Sequence, residues 1–211
     1  MKKLVLLLAC AALSTSVFAQ KSLVDEVKRE IGGMSANSGT LKNAMKKIKP
    51  ALENAETKDA AQTWFIAGKA CYGFYDKCVG ERAIGKPVDE KAMAEALLQG
   101  LEYYKKALEL DKVAELNKDG SPKRDKKTGE IKYKTKHTKD IVSTLAGHVN
   151  DFMHAGNAFY DAKDYKNASV CWGTYCDFEN ADYLGNHKPE MVDTIIGQMR
   201  FYQGVSAWQA E

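Results

Sequence analysis

The stretch HAGNAFYDAKDYKNASVCW, residues 154–172, decides the fold. Small residues alternate in it with aromatic residues at helical spacing, and a short polar break after Ala162 separates the end of one helix from the start of the next. Two antiparallel helices approach closely only where Gly and Ala remove side-chain bulk, and an aromatic side chain from one helix then fills the gap that opens against the next hairpin. The stretch therefore predicts a helix hairpin built for close packing.

An earlier part of the chain repeats this pattern. The segment WFIAG at residues 64–68 aligns with FMHAG at residues 152–156, and the second helices align with Tyr104 in the place of Trp172. The connection between the two helices is 20 residues longer in the earlier unit. One position departs from the common pattern, because Tyr175 stands where the earlier unit has the small residue Ala107.

This repeated pattern resembles the tetratricopeptide repeat family, in which Trp, a small residue, Gly and an aromatic residue mark the first helix of each unit. The unit at residues 152–182 fits the pattern without insertion, and the resemblance covers residues 60–211. It implies an all-α fold of antiparallel helix hairpins stacked as a right-handed solenoid, with one long basic loop or small hairpin inserted.

We divide the chain into a signal peptide (1–19), N-terminal helices that pack on the first repeat (20–57) and the repeats (58–211). The repeats comprise the first repeat with its insertion (58–111), the basic loop (112–139), the second repeat (140–182) and the first helix of an incomplete third repeat (189–211). Helices are expected over 23–31, 40–55, 60–77, 89–110, 139–162, 165–178 and from 189 onwards, with a Gly-rich link over 79–88. Asp89 is the expected N-cap, Pro50 marks a kink or an early start of a helix, and Pro189 is expected as a first helical residue.

The last segment, FYQGVSAWQAE at residues 201–211, repeats the register of residues 153–163, so that Gly204 aligns with Gly156. Terminal repeats normally carry a polar outer face. This helix would instead expose apolar side chains, namely Phe201, Val205 and Trp208. We expect the natural chain to continue past residue 211; the alternative is that another chain covers this surface, including self-association through the C-terminal helix.

The N-terminus has the features of an export signal. Lys2 and Lys3 precede an apolar run over residues 4–13, and small residues ending at Ala19 then give a cleavage site. The run is too short to span a bilayer. A lipoprotein signal with Cys10 as the lipidated residue is the alternative. The chain thus resembles exported tetratricopeptide proteins of Gram-negative envelopes, of the Bacteroidetes type, located in the periplasm or at the outer membrane and cell surface.

Charge is concentrated in one segment. Residues 112–139 carry a local charge of +6, while loss of Lys2 and Lys3 reduces the whole chain from +3 to +1. An exported protein rarely meets nucleic acid, so we interpret this segment as a solvated loop and predict no nucleic-acid partner. The four cysteines of the mature chain are expected to be buried thiols, with a disulfide involving Cys78 as the alternative. They are Cys71, Cys78, Cys171 and Cys176.

No catalytic motif is present in the sequence: it contains no G-x-S-x-G, Walker loop or H-E-x-x-H. His148 and Asp151 could share a helical face, but His154 is six residues from His148 and points elsewhere. We therefore predict no enzyme activity, no cofactor and no metal site.

Recognition of a protein or peptide is the remaining function. In the tetratricopeptide family the inner faces of the first helices line a groove that receives such segments. The corresponding positions are Gln62, Phe65, Lys69, Tyr72, Asn150, Met153, Asn157, Tyr160, Gln198, Phe201, Val205 and Trp208. Phe65, Tyr72 and Tyr160 have the alternative role of packing on a neighbouring helix. Two other functions stay open: an outer-membrane carbohydrate-binding protein that stacks sugars on Trp64, Trp172 or Trp208, and the N-terminal adaptor region of a longer enzyme.

Overall fold

The computed structural model describes residues 21–211. The signal peptide, its cleavage site and the lipoprotein alternative lie outside these residues. The described chain is mostly helical, which confirms the all-α class. Its helices are α1 (21–32), α2 (Ser38–Lys47), α3 (Lys49–Glu53), α4 (Ala61–Ala83), α5 (Glu90–Leu110), α6 (Thr138–Gly147), α7 (Asp151–Asp161), α8 (Tyr165–Asp177) and α9 (Asp193–Gln209). In the series α2, α4, α5, α7, α8 and α9, each helix packs on the next.

The kink predicted at Pro50 is confirmed. Helix α2 ends at Lys47, and Pro50 lies in the first turn of α3, where its missing N–H removes no intrahelical hydrogen bond. The ammonium of Lys47 joins α2 to α1 through Glu26 (2.7 Å) and Glu30 (2.6 Å). Helices α2 and α3 lie against α4, where Leu41 of α2 packs on Gly73.

Helix α4 is longer than predicted. It continues through the first half of the expected Gly-rich link and ends at Ala83, because Gly80 alone does not break a helix, whereas Gly85 adopts a φ of 76°. The predicted cap of α5 is confirmed: the Asp89 side chain accepts the N–H of Ala92 at 3.0 Å.

The basic segment forms a small hairpin, as predicted. Strands β1 (Val113–Ala114) and β2 (Tyr133–Lys134) pair antiparallel with Val113 opposite Lys134. Most of its side chains are exposed. The Lys-rich part of the chain thus lies in solvent, outside the packed helices.

Asp111 anchors both ends of this hairpin to the helices. Its buried carboxylate accepts the N–H groups of Lys136, His137 and Thr138 at 2.9, 2.7 and 2.8 Å, and the Thr138 hydroxyl at 2.8 Å. These bonds satisfy N–H groups at the start of α6 that have no intrahelical partner. Burial alone would raise the pKa of the Asp111 carboxyl, but the hydrogen bonds lower it below its ordinary value.

The single helix predicted over 139–162 is wrong, because the chain breaks between Gly147 and Asp151 into α6 and α7. At the break, Nδ1 of His148 lies 2.7 Å from the Asp151 carboxylate in the first turn of α7. The break allows α7 to pack between α5 and α8 while α6 lies elsewhere on α5. The His148 ring also packs against Tyr72 of α4, 4.9 Å between centroids.

The start of the last helix also differs from the prediction. Pro189 lies outside any helix, since two 3₁₀ segments, Phe178–Asn180 and Asp182–His187, are followed by residues 188–192 without helical structure. Helix α9 begins only at Asp193, whose carboxylate lies at the positive end of the helix dipole.

The four cysteines within residues 21–211 are free and buried, as predicted, and the disulfide alternative is not seen among them. Burial raises the pKa of the Cys71 thiol to about 12. These side chains therefore act as small apolar packing groups.

Candidate partner-binding groove

Two glycines of first helices are each covered by an aromatic ring of the following helix. A Cβ built on Gly68 of α4 would collide with the Tyr104 ring of α5, and one built on Gly156 of α7 would collide with the Trp172 indole of α8. The same positions were aligned from the sequence alone. We call these two pairs the Gly–aromatic contacts; in both, the missing side chain lets the helices approach.

The third glycine in this register has no such cover. A Cβ built on Gly204 of α9 would meet nothing within 4 Å. Helix α9 instead packs on α8 through its other side, where Met199 and Ser206 are buried and the backbone carbonyl of Gln203 accepts the Ser169 hydroxyl at 2.9 Å. The glycine side of α9 is thus left open.

A groove of about 750 Å³ lies between α7, α8 and α9. We call it the α7–α9 groove. Six of the predicted site residues line it, namely Met153, Asn157, Tyr160, Gln198, Phe201 and Val205. Five further residues that were not predicted for the groove also line it, namely His154, Asp161, Trp172, Met199 and Tyr202.

The floor of the groove is aromatic. Trp172 is buried, its Nε1 donates to the Met153 carbonyl at 3.3 Å, and its ring lies 5.9 Å from Tyr160 and 5.4 Å from Tyr202 between centroids. Tyr202 continues the cluster to Phe201 at 5.9 Å. Trp172 thus lies beneath the groove, and the exposed rings of Tyr160 and Phe201 give the groove its accessible apolar surface.

Polar groups stand at the rim of the same groove. The Gln198 amide donates to the Tyr202 hydroxyl at 2.9 Å, and Asn157 is exposed one helical turn after Met153. Side-chain amides both donate and accept, so they can pair with the N–H and C=O groups of an extended backbone. Asp161 is the acidic residue at this rim.

The predicted residues of the first repeat lie elsewhere. Phe65, Lys69 and Tyr72 line a separate cleft of about 750 Å³ between α4, α6 and the N-terminal helices. Phe65 is buried and stacks on His137 at 4.3 Å, and Tyr72 is buried and stacks on Tyr104 at 5.0 Å. Both rings belong to the core, which corrects their assignment as open groove surface. Their spacing along α4 could not show that residues on either side of α6, His137 and His148, would cover them.

Three other predicted residues also lie outside the α7–α9 groove. Oε1 of Gln62 accepts a hydrogen bond from the Lys136 ammonium at 3.5 Å, beside the base of the hairpin. Asn150 is exposed at the N-cap of α7 and makes no capping hydrogen bond with its side chain. Trp208 is 75% exposed on the outer side of α9. The twelve predicted positions therefore do not form one continuous surface.

Residues 21–211 contain no group of three or more His, Cys, Asp or Glu side chains arranged to hold a metal ion. His148 does lie between two carboxylates, 2.7 Å from Asp151 and 3.6 Å from Asp76. Burial raises the pKa of the Asp76 carboxyl, and the neighbouring His148 opposes that shift. This trio joins α4 to the start of α7.

Within the described part of the chain, no helix is both long enough and apolar enough to cross a membrane. Comparison of the chain with protein-family models, with curated proteins and with solved structures gave no match.

Proposed function

We propose that this protein is a non-enzymatic scaffold of tetratricopeptide type in the bacterial cell envelope, and that its α7–α9 groove binds an extended segment of a partner protein. The observation that carries the proposal is the pair of Gly–aromatic contacts in equivalent register, with an open groove beside the second. Helix hairpins related in this way stack as a right-handed solenoid, and such solenoids present their first helices to ligands.

The chemistry of the groove favours an uncharged, partly apolar ligand. Its floor is the Trp172, Tyr160 and Tyr202 cluster, and its rim carries the amides of Asn157 and Gln198. Buried aromatic anchors surrounded by polar groups are typical of sites that bind peptides. Lys69, the lysine predicted for the groove, lies in the other cleft, so a ligand held by its terminal carboxylate is not proposed.

The carbohydrate alternative has less support. Trp64 packs on Tyr103 at 5.8 Å, and its Nε1 donates to the Lys58 carbonyl. Trp172 is also buried. Sugar stacking needs an accessible ring face; Trp208 is exposed, whereas Trp64 is half-buried and Trp172 is buried.

The proposal is tested by selecting binders from a displayed library of random peptides against the purified protein, in parallel with a glycan array. The dissociation constant of the best peptide is then measured by fluorescence anisotropy. We expect Asn157→Ala and Tyr160→Ala each to weaken binding by about fivefold or more, since each removes one buried contact. Val170→Ala is the matched control, because Val170 is exposed on α8 and lies outside the groove.

Failure to select any peptide, or an equal loss with Val170→Ala, would exclude the groove as a peptide site. Glycan binding that survives both groove substitutions would favour the carbohydrate alternative. Export is tested separately by determining the N-terminal residue of protein recovered from the envelope fraction. We expect that residue to be Gln20.

A further inference from the structure

One side of α9 is apolar and uncharged, and no other part of residues 21–211 covers it. It consists of Gly197, Phe201, Gly204 and Trp208, which follow one another at intervals of four, three and four residues and so share one face of the helix. Phe201 is 67% exposed and Trp208 75%. A Cβ built on either glycine would meet nothing within 4 Å. We call this surface the α9 outer face.

This face lies opposite the side of α9 that packs on α8, where Met199 and Ser206 are buried. It combines the two components of the Gly–aromatic contact, a glycine gap and an aromatic ring, on one helix. The chain already uses that contact twice between antiparallel helices, at Gly68 with Tyr104 and at Gly156 with Trp172. An antiparallel helix that brings an aromatic ring to Gly204 would extend the same type of interface.

The order of residues on the α9 outer face is self-complementary. When two copies of α9 are placed antiparallel about a two-fold axis at the level between residues 202 and 203, Phe201 lies opposite Gly204 of the other copy. In the same register Gly197 lies opposite Trp208. Each ring thus meets a glycine, as a two-fold symmetric interface requires. We propose that this face binds a second copy of the chain, with the two α9 helices antiparallel in this register.

The size of the face predicts a weak dimer. Two aromatic side chains from each copy, which are now two-thirds to three-quarters exposed, would bury about 600 Å² in total, below the range of stable dimers. The face carries no charged side chain, so pairing encounters no like-charge repulsion along it. We expect a dissociation constant of about 10 μM to 1 mM.

The first experiment measures oligomeric state by sedimentation equilibrium of the purified protein from about 1 μM to 1 mM. The mass should rise with concentration from monomer towards dimer. Gly204→Leu should raise the dissociation constant by about tenfold or more, because its side chain fills the gap for Phe201. The monomer accommodates it, since the space around Gly204 is open.

Gly80→Leu is the matched control, because Gly80 is also an exposed helical glycine with open space around it, but on α4. It should dimerise like the unaltered protein. A monomer mass at every concentration, or an equal dissociation constant for Gly204→Leu and the unaltered protein, would overturn the proposal. Because Phe201 also lines the α7–α9 groove, peptide binding is tested separately at Asn157 and Tyr160, in protein dilute enough to be monomeric.

The second experiment tests the register by oxidising a mixture of Gly197→Cys chains and Trp208→Cys chains. The proposed pairing predicts disulfides between the two kinds of chain. It predicts none between identical chains, whose cysteines would be about 16 Å apart along the axis. Disulfides between identical chains would indicate a parallel pair and overturn the register. The unaltered protein is the control, because its described cysteines are buried.

Discussion

Alanine in place of Gly156 should destabilise the protein, although alanine is normally the better helix residue. In an exposed helix this change would stabilise by about 1 kcal/mol. At this site the new Cβ would approach Cδ1 and Cε2 of Trp172 to 2.6 Å, far inside van der Waals contact. The indole has little room to move, since its Nε1 donates a hydrogen bond to the Met153 carbonyl and its ring packs on Tyr202 at 5.4 Å between centroids.

The magnitude follows from these opposing effects. Overpacking a close helix contact costs about 3 kcal/mol when the neighbour is held in place, and the helix preference of alanine offsets about 1 kcal/mol of that. We therefore expect a loss of about 2 kcal/mol in the free energy of unfolding, or about 4–8 °C in Tm for a chain of this length. Gly68→Ala should behave alike, because its Cβ would meet Cε1 of Tyr104 at 2.5 Å.

Gly204→Ala provides the matched comparison, because Gly204 occupies the equivalent position in α9 but has open space around it. Its expected effect is a gain of up to about 1 kcal/mol. Urea unfolding followed by far-ultraviolet circular dichroism measures all three variants at low micromolar concentration, where the monomer dominates. If Gly156→Ala were as stable as the unaltered protein, or if Gly204→Ala lost as much as Gly156→Ala, close helix approach at glycine would not explain the repeat.

Three further predictions concern the anchor, the hairpin and the thiols. Asp111→Ala should cost about 3 kcal/mol in urea unfolding, since it leaves N–H groups without an acceptor, while Asp119→Ala, at an exposed turn, should cost under about 1 kcal/mol. Folding lowers the pKa of the Asp111 carboxyl, so the stabilisation it gives is present above its unfolded pKa and is lost as pH falls through its folded pKa. If the free energy of unfolding fell equally with pH in Asp111→Ala and in the unaltered protein, this explanation would be wrong. Replacing residues 115–132 by an Asn-Gly turn should change Tm by less than about 2 °C, and a large drop would show that the hairpin packs on the helices. A thiol reagent at pH 8 should modify Cys71 and Cys171 only after unfolding, because both are buried; rapid labelling of native protein, quantified by mass spectrometry, would refute that.

The helical class and the pairing inside each hairpin could be predicted from the sequence because they depend on local pattern. Gly68 and Gly156 align in the sequence, as do the rings of Tyr104 and Trp172 that cover them, although each ring lies in the same hairpin as its glycine and not in the next one as expected. The Asp89 cap and the Pro50 kink were likewise predictable, since a cap or a proline acts on neighbours within one helical turn. Where local signals were weak, as at the break after Gly147, the prediction failed.

The site was predictable only in part. Spacing along α7 and α9 identified residues on one side of each helix, and the six that share the α7–α9 groove came from those two helices. Trp172 was assigned to packing, yet it also forms the floor, because a ring that covers Gly156 borders the gap beside it. Phe65 and Tyr72 had equivalent spacing on α4 but are covered by distant parts of the chain.

The sequence by itself therefore determined that the chain is helical and which glycines allow two helices to approach, because periodicity and side-chain volume are local properties. Only the tertiary structure decided which of those faces remain open. The rings of His137 and His148 cover the α4 face, whereas the outer face of α9 has no described residue on it. Exposure depends on contacts between residues far apart in the chain, whereas helical periodicity shows only which residues share a face of one helix.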